Sequence, residues 1–319
     1  MPKKPAPLQS LPLLDDFLLN LKTNNYSPET VYNYERDLKT FEDFLNELKI
    51  KFDKIDKRFI NNYKAYLTSI DRRTPLSGLS KVRLTSYSLN RMLSSLRAYL
   101  KYLIDFNYPT PVSPETVKLV KTERKHARIA EFNDLVRLVE APTHLEHNKL
   151  VALRNRTMLE VLFSTGMRIS ELINLKRDQL DGTGKIFIMG KGKKERFVYL
   201  TPRAMDHLKK YFATWKKDSD YIFSPMRGLN ASARNNKISA NYLQERIKYY
   251  RQMLKINVPI SAHSLRHGFA TYLAEEGANP AAIQILLGHE SLDTTTRYVH
   301  ASDRYAQETH QKYHPLKDK

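Results

Sequence analysis

Five short segments in the second half of the chain gather the side chains that could do chemistry. They are Thr165-Gly-Met-Arg-Ile-Ser-Glu-Leu, Gly190-Lys-Gly-Lys-Lys-Glu-Arg, His263-Ser-Leu-Arg-His-Gly-Phe-Ala-Thr, Leu287-Gly-His-Glu-Ser and Thr296-Arg-Tyr. Breaking a phosphodiester without a metal takes a nucleophile, cationic groups for the charge that develops on the phosphate oxygens, and an acid for the leaving hydroxyl. These segments offer all three. The guanidinium forks of Arg168 and Arg266 can hold both non-bridging oxygens of one phosphate. His263 stands three residues before Arg266, so both can project from one helical face toward one anion. His263 and His267 also have the i, i+4 spacing of a helical metal pair. Ser264 stands where a metalloprotease carries Glu, however, and no metal is expected.

These side chains need a scaffold, and the pattern from Ile129 onward reads as helix, then a small β element, then helices. Two short runs, Lys185-Ile-Phe-Ile-Met and Arg196-Phe-Val-Tyr-Leu, flank Gly190-Lys-Gly-Lys-Lys and predict a hairpin over 184–200 with a cationic tip, placing Lys191 on a turn. Helices are expected at about 202–215, 239–254, 263–276 and 280–287. Gly288 can end the last of these, and Ser291 or Asp293 can open a short helix carrying Tyr298. Upstream, Leu11 to Tyr108 reads as helical almost throughout. Ser27-Pro28-Glu29 starts a second helix, a third covers Phe59 to Ser69, and a fourth runs from about Ser80 to Phe106. The buried side of that fourth helix is Leu89, Leu93, Leu96, Leu100 and Leu103, and its other side carries Lys81, Arg83, Arg91, Arg97 and Lys101, candidate DNA contacts. Three prolines within Tyr108-Pro-Thr-Pro-Val-Ser-Pro mark a stiff connection. The divisions are therefore 1–107, a linker over 108–127, and 128–319.

The formal charge of +19 over 319 residues points to a polyanionic partner, because each Lys or Arg that neutralises a phosphate releases condensed counterions. The charge is uneven: residues 1–56 hold 8 Lys or Arg against 10 Asp or Glu, whereas residues 57–125 hold 14 against 4. A basic face therefore begins after the first helices. The absence of cysteine excludes disulfides and thiolate chemistry. No apolar run reaches the roughly 18 residues of a membrane span, and Met1–Ser10 lacks the apolar core of a secretory signal. A cytoplasmic protein is expected.

In their order and wording, the five segments closely resemble the signature of the tyrosine recombinases, the phage integrase family, and within it the Xer-type enzymes. The resemblance is strong from about residue 150 to the end and weak over the N-terminal helices. It implies a mainly α fold, with an N-terminal four-helix, SAM-like core-binding domain on one side of the DNA. On the other side would stand an α-helical catalytic domain with a small antiparallel β-sheet. It also implies roles. Arg168 and Arg266 match the two family arginines that stabilise a pentavalent phosphate. Lys191 matches the hairpin lysine, a general acid for the departing 5′ hydroxyl, with Lys193 and Lys194 as rivals. His263 matches the base-side histidine, and His289 the position that hydrogen-bonds the phosphate. Tyr298, nine residues after His289, matches the nucleophile that forms a 3′-phosphotyrosine; Tyr272 and Tyr305 are its nearest competitors among 19 tyrosines. Glu171 falls where the family has a supporting acidic residue. No cofactor or ATP is needed, because the covalent bond conserves the phosphodiester energy.

The implied partner is a double-stranded recombination site held by a homotetramer, or by a heterotetramer with a related recombinase. An accessory activator can be added, and the tail from Ala301 to Lys319 resembles the segment that Xer-type enzymes dock on a neighbouring subunit. Dimer resolution is the first expected role, with integration or excision of a mobile element as the alternative. The ten residues before Leu11 are too few for the arm-binding domain an integrase often adds. A type IB topoisomerase would use similar chemistry, and a non-catalytic architectural DNA-binding protein would need no nucleophile.

Overall fold

The computed structural model describes residues 11–69, 73–74, 78–79, 83–122, 130–189, 195–214, 219–226 and 236–288. The chain divides into two units, Met1–His126 and Ala127–Lys319, both mainly helical. Among the described residues, no helix is long and apolar enough to cross a membrane.

The first unit is built on local capping chemistry. Helix α1 (Leu14–Thr23) is followed by α2 (Pro28–Leu48), which opens where the Ser27 hydroxyl accepts the Thr30 amide at 3.1 Å and Pro28 takes the first helical position. Helix α3 (Lys57–Thr68) begins where Asp56 accepts the Phe59 amide at 2.7 Å. Two short antiparallel strands, β1 (Arg73–Thr74) and β2 (Gly78–Leu79), precede α4 (Ser86–Asp105). Leu38, Phe41, Ile60, Tyr63, Leu67, Leu93, Leu96 and Leu100 fill the core, with the Phe41 and Tyr63 rings edge to face at 4.8 Å. Of the expected linker, Val117 is buried in this core, and the Asn90 side chain pairs with both backbone groups of Val120, at 2.9 and 2.8 Å.

The expected start of α4 needs correction. The helix begins at Ser86 rather than Ser80, because the Thr85 hydroxyl accepts the Ser88 amide at 3.2 Å and so caps it. Arg83 therefore stands exposed ahead of the helix, and Lys81 lies outside the described residues. Arg91 is exposed on the outer side of α4, as expected, and its guanidinium also forms an ion pair with Asp37, whose side chain is 1% exposed and accepts the Ser95 hydroxyl at 2.9 Å. Removing one partner of such a pair strands a buried charge. Arg91→Ala should thus lower unfolding stability by about 1–3 kcal/mol, read from denaturant melts. Lys101→Ala, on an exposed position, should stay within about 0.5 kcal/mol.

The second unit wraps α7 (Lys149–Thr165), a helix buried on nearly every side and packed by α5 (Phe132–Glu140), α6 (Pro142–Leu145), α9 (Pro202–Ala213) and α11 (Ala262–Glu275). Two of its buried charged residues pair with each other, Arg156 and Glu160 at 2.6 Å. After α7 come α8 (Ile169–Ile173) and an antiparallel hairpin of β3 (Lys185–Met189) and β4 (Glu195–Tyr199), in the register Lys185↔Tyr199 to Met189↔Glu195. Alternation turns Ile186, Ile188, Arg196 and Val198 inward. Helices α10 (Ala240–Met253) and α12 (Pro280–Leu287) complete the described part of the unit, which is thus mainly α with one small antiparallel sheet, as expected. The hairpin tip lies outside the described residues.

Candidate active site

Arg168 owes its place to a turn that only glycine permits. Helix α7 ends with Gly166 in the left-handed region at φ 61°, where a Cβ would come within 2.3 Å of the Phe269 ring. The chain reverses there, and Arg168 becomes the residue that opens α8. Its backbone amide donates to Glu171 Oε2 at 2.7 Å, and its guanidinium donates to Glu171 Oε1 at 3.0 Å and to the Gly288 carbonyl at 3.3 Å. The Arg168 side chain keeps 35% of its surface exposed, so a bound anion can reach it.

Glu171 is nearly buried and is gripped from two sides. Besides Arg168, Arg196 donates to both of its oxygens, at 2.9 and 2.7 Å. Burial works to raise the Glu171 pKa, but the hydrogen bonds and charges of Arg196 and Arg168 outweigh it and hold the carboxyl below its ordinary range. The carboxylate is therefore ionised and accepts from both arginines.

Arg266 comes from α11 and is buried. Its guanidinium donates to the Gly166 carbonyl at 2.8 Å and the Leu287 carbonyl at 2.7 Å, so it meets the same two chain segments that hold Arg168. The last turn of α12 is therefore held by three arginines on three successive carbonyls: Arg196 on Leu286 at 2.9 Å, Arg266 on Leu287 and Arg168 on Gly288. The negative end of the helix dipole favours such cations. Gly288, at φ 63°, terminates α12 there and delivers the chain to His289.

His263 lies in the first turn of the same helix as Arg266, behind the cap that Ser261 makes to the Ser264 amide at 3.2 Å. Its ring reaches solvent, yet desolvation of its buried part, reinforced by the positive charges of Arg266 and Arg168, lowers its pKa. A neutral imidazole beside two guanidinium groups can take a proton near pH 7. If that base is essential, cleavage should persist below the ordinary histidine pKa of about 6.5 and fall only as pH drops through the lowered value. Arg168→Gln removes one of the charges and should move that acid limb upward, which a pH-rate profile of single-turnover cleavage would read. His267 packs its ring against His263 at 4.6 Å, and among the described residues no group of three or more potential ligands converges on a metal position.

The structure thus brings Arg168, Glu171, His263 and Arg266 together. Lys191, His289 and Tyr298 lie outside the described residues, as do Lys193, Lys194 and Tyr305. The competitor Tyr272 is otherwise engaged: its hydroxyl donates to the Ala130 carbonyl at 3.2 Å, and burial raises its pKa. Arg196 was missed as a member of the cluster, although its signal was present, since alternation in β4 puts a charged residue on the inward face beside Val198 and a buried charge requires a partner.

Residues 129–304 match the phage integrase family, and residues 14–106 match the phage integrase N-terminal SAM-like domain. The chain is 32% identical over 310 residues to the tyrosine recombinase XerC of Thermodesulfovibrio yellowstonii, covering 95% of this chain and 96% of that one. It is 30% identical over 297 residues to the tyrosine recombinase XerD of Staphylococcus epidermidis, covering 91% and 93%. Among solved structures, the XerH recombinase on palindromic difH DNA in a post-cleavage complex superposes with a TM-score of 0.68 at 20% identity, covering 93% of this chain and 83% of that one. A lambda integrase dimer on a core site gives 0.68 at 15% identity, covering 91% and 76%.

Proposed function

Since this chain belongs to the phage integrase family and is a site-specific tyrosine recombinase, we propose that it exchanges DNA strands through a 3′-phosphotyrosine at Tyr298, in Xer-type resolution of chromosome or plasmid dimers. The observation that supports this most directly is the convergence of Arg168 and Arg266, from different helices, on one helix end beside a histidine of lowered pKa.

In this reading the Tyr298 oxygen attacks the scissile phosphorus while His263 accepts the phenolic proton. Arg168 and Arg266 stabilise the charge on the non-bridging oxygens, and His289 donates a further hydrogen bond to them. Lys191 protonates the departing 5′ oxygen, leaving a free 5′ hydroxyl and a phosphodiester to tyrosine. Reversal with another strand's 5′ hydroxyl rejoins the DNA, so neither nucleotide nor metal enters the balance. Residues 1–107 would serve as the core-binding domain, contacting duplex DNA through Lys81, Arg83, Arg91, Arg97 and Lys101, with 108–127 as the linker and 128–319 as the catalytic domain. Four subunits would hold two duplexes, as a homotetramer or with a related recombinase, and an accessory activator would switch cleavage on at the nucleoid.

The test is to incubate the protein, in EDTA, with a panel of nicked suicide duplexes carrying candidate recombination sites, and to map covalent adducts by mass spectrometry. An adduct on Tyr298 supports the mechanism. Tight binding across the panel, with and without host extract, and no adduct would favour a purely architectural protein.

A further inference from the structure

Arg196 occupies a position that the hairpin would ordinarily give to an apolar side chain. It stands opposite Ile188 in the register, shares the inward face with Val198, and its side chain is only 7% exposed. Burying a guanidinium costs several kcal/mol unless its donors are matched. Here Nη1 and Nη2 each donate to one oxygen of Glu171, and Nε donates to the Leu286 carbonyl at 2.9 Å. One planar fork therefore ties three chain segments together: strand β4, the start of α8 and the end of α12.

The consequence for the site is geometric. With both Glu171 oxygens fixed by Arg196, that carboxylate presents its remaining lone pairs to Arg168 in one orientation, at the backbone amide and at Nη1. The Leu286 carbonyl that Arg196 holds is followed by the carbonyls that hold Arg266 and Arg168. The packing is close at Gly288, which takes the left-handed φ of 63° and where a Cβ would stand 3.0 Å from Arg196 Cδ. We infer that Arg196 is a positioning residue for strand cleavage: it acts through Glu171 and the α12 terminus to hold Arg168 where the phosphate must bind, without contacting the phosphate itself. This rests on the reading of Arg168 as a phosphate ligand.

The experiment uses the full chain and the nicked-duplex panel, comparing Arg196→Lys, Glu171→Gln and the double variant. Lysine keeps the charge but cannot span both carboxylate oxygens and the carbonyl. Single-turnover cleavage by Arg196→Lys, measured per folded molecule at a temperature below its lowered melting transition, should fall about 100-fold, the scale of a misplaced reacting group, while DNA affinity changes little. Glu171→Gln should slow cleavage similarly, and the double variant should be no slower than the worse single variant, because both act through one contact. Cleavage by Arg196→Lys at the unmodified rate, losses that multiply in the double variant, or a loss matched by an equal fall in folded fraction would each overturn the inference. Failure of the unmodified chain to form any adduct would instead overturn the active-site reading, and this inference with it.

Discussion

Tyr298→Phe is expected to bind its DNA with unchanged affinity and to form no covalent adduct at any protein concentration or time. The substitution keeps the ring and removes one oxygen, so packing and charge are preserved while the nucleophile is lost. Tyr272, the nearest competitor within the described residues, donates its hydroxyl to the Ala130 carbonyl, and its raised pKa makes it a poorer nucleophile. The other cations stay in place, so the variant should trap the bound, uncleaved complex. Gel shift and denaturing electrophoresis on the same suicide duplex separate the two properties. An adduct that survives the substitution would place the nucleophile elsewhere and undo the assignment.

What could be read in the sequence follows from how far apart the deciding residues lie. Ser27-Pro28 opens α2 as expected because a cap is a contact across three residues. The two hairpin strands emerge where alternation predicts them, because period-2 burial is local too. The start of α4 differs from the expected Ser80 because the Thr85 hydroxyl, one of several residues upstream of the helix that can cap, is the one that accepts the Ser88 amide. Long-range pairs were less legible. Arg91 reads as a surface cation until Asp37, 54 residues away, is seen buried against it. Arg196 reads as one more basic residue of a hairpin until Glu171, 25 residues away, is seen between it and Arg168. Arg168, Glu171, His263 and Arg266 were found early because their segments carry a family signature. What the signature does not show is that three of its arginines meet on the successive carbonyls of Leu286, Leu287 and Gly288, at a helix end where Gly288 takes a left-handed turn at φ 63°.

That shared end makes Arg168→Ala the sharpest separation of chemistry from folding at this site. Deleting the side chain removes two hydrogen bonds, one to Glu171 and one to the Gly288 carbonyl. Neither partner is stranded in a dry interior. Glu171 keeps the two-point grip of Arg196 and the Arg168 backbone amide, and Gly288 lies at an exposed position where water can replace the lost donor. The cost in stability should therefore stay near 1 kcal/mol. Catalysis has no such substitute, because the charge on the phosphate grows in the transition state and the guanidinium is preorganised to meet it. Cleavage should fall by about 100- to 1,000-fold, comparable to the loss of an oxyanion-hole donor, with DNA affinity within a few-fold of the unmodified chain. Arg266→Ala would be a blunter instrument: its buried guanidinium also joins the Gly166 and Leu287 carbonyls, so its loss should unsettle the fold as well as the reaction. Measuring melting, affinity and single-turnover cleavage on Arg168→Ala distinguishes the roles. A large loss of affinity with a normal cleavage rate in the bound complex would make Arg168 a ground-state DNA contact rather than a stabiliser of the transition state.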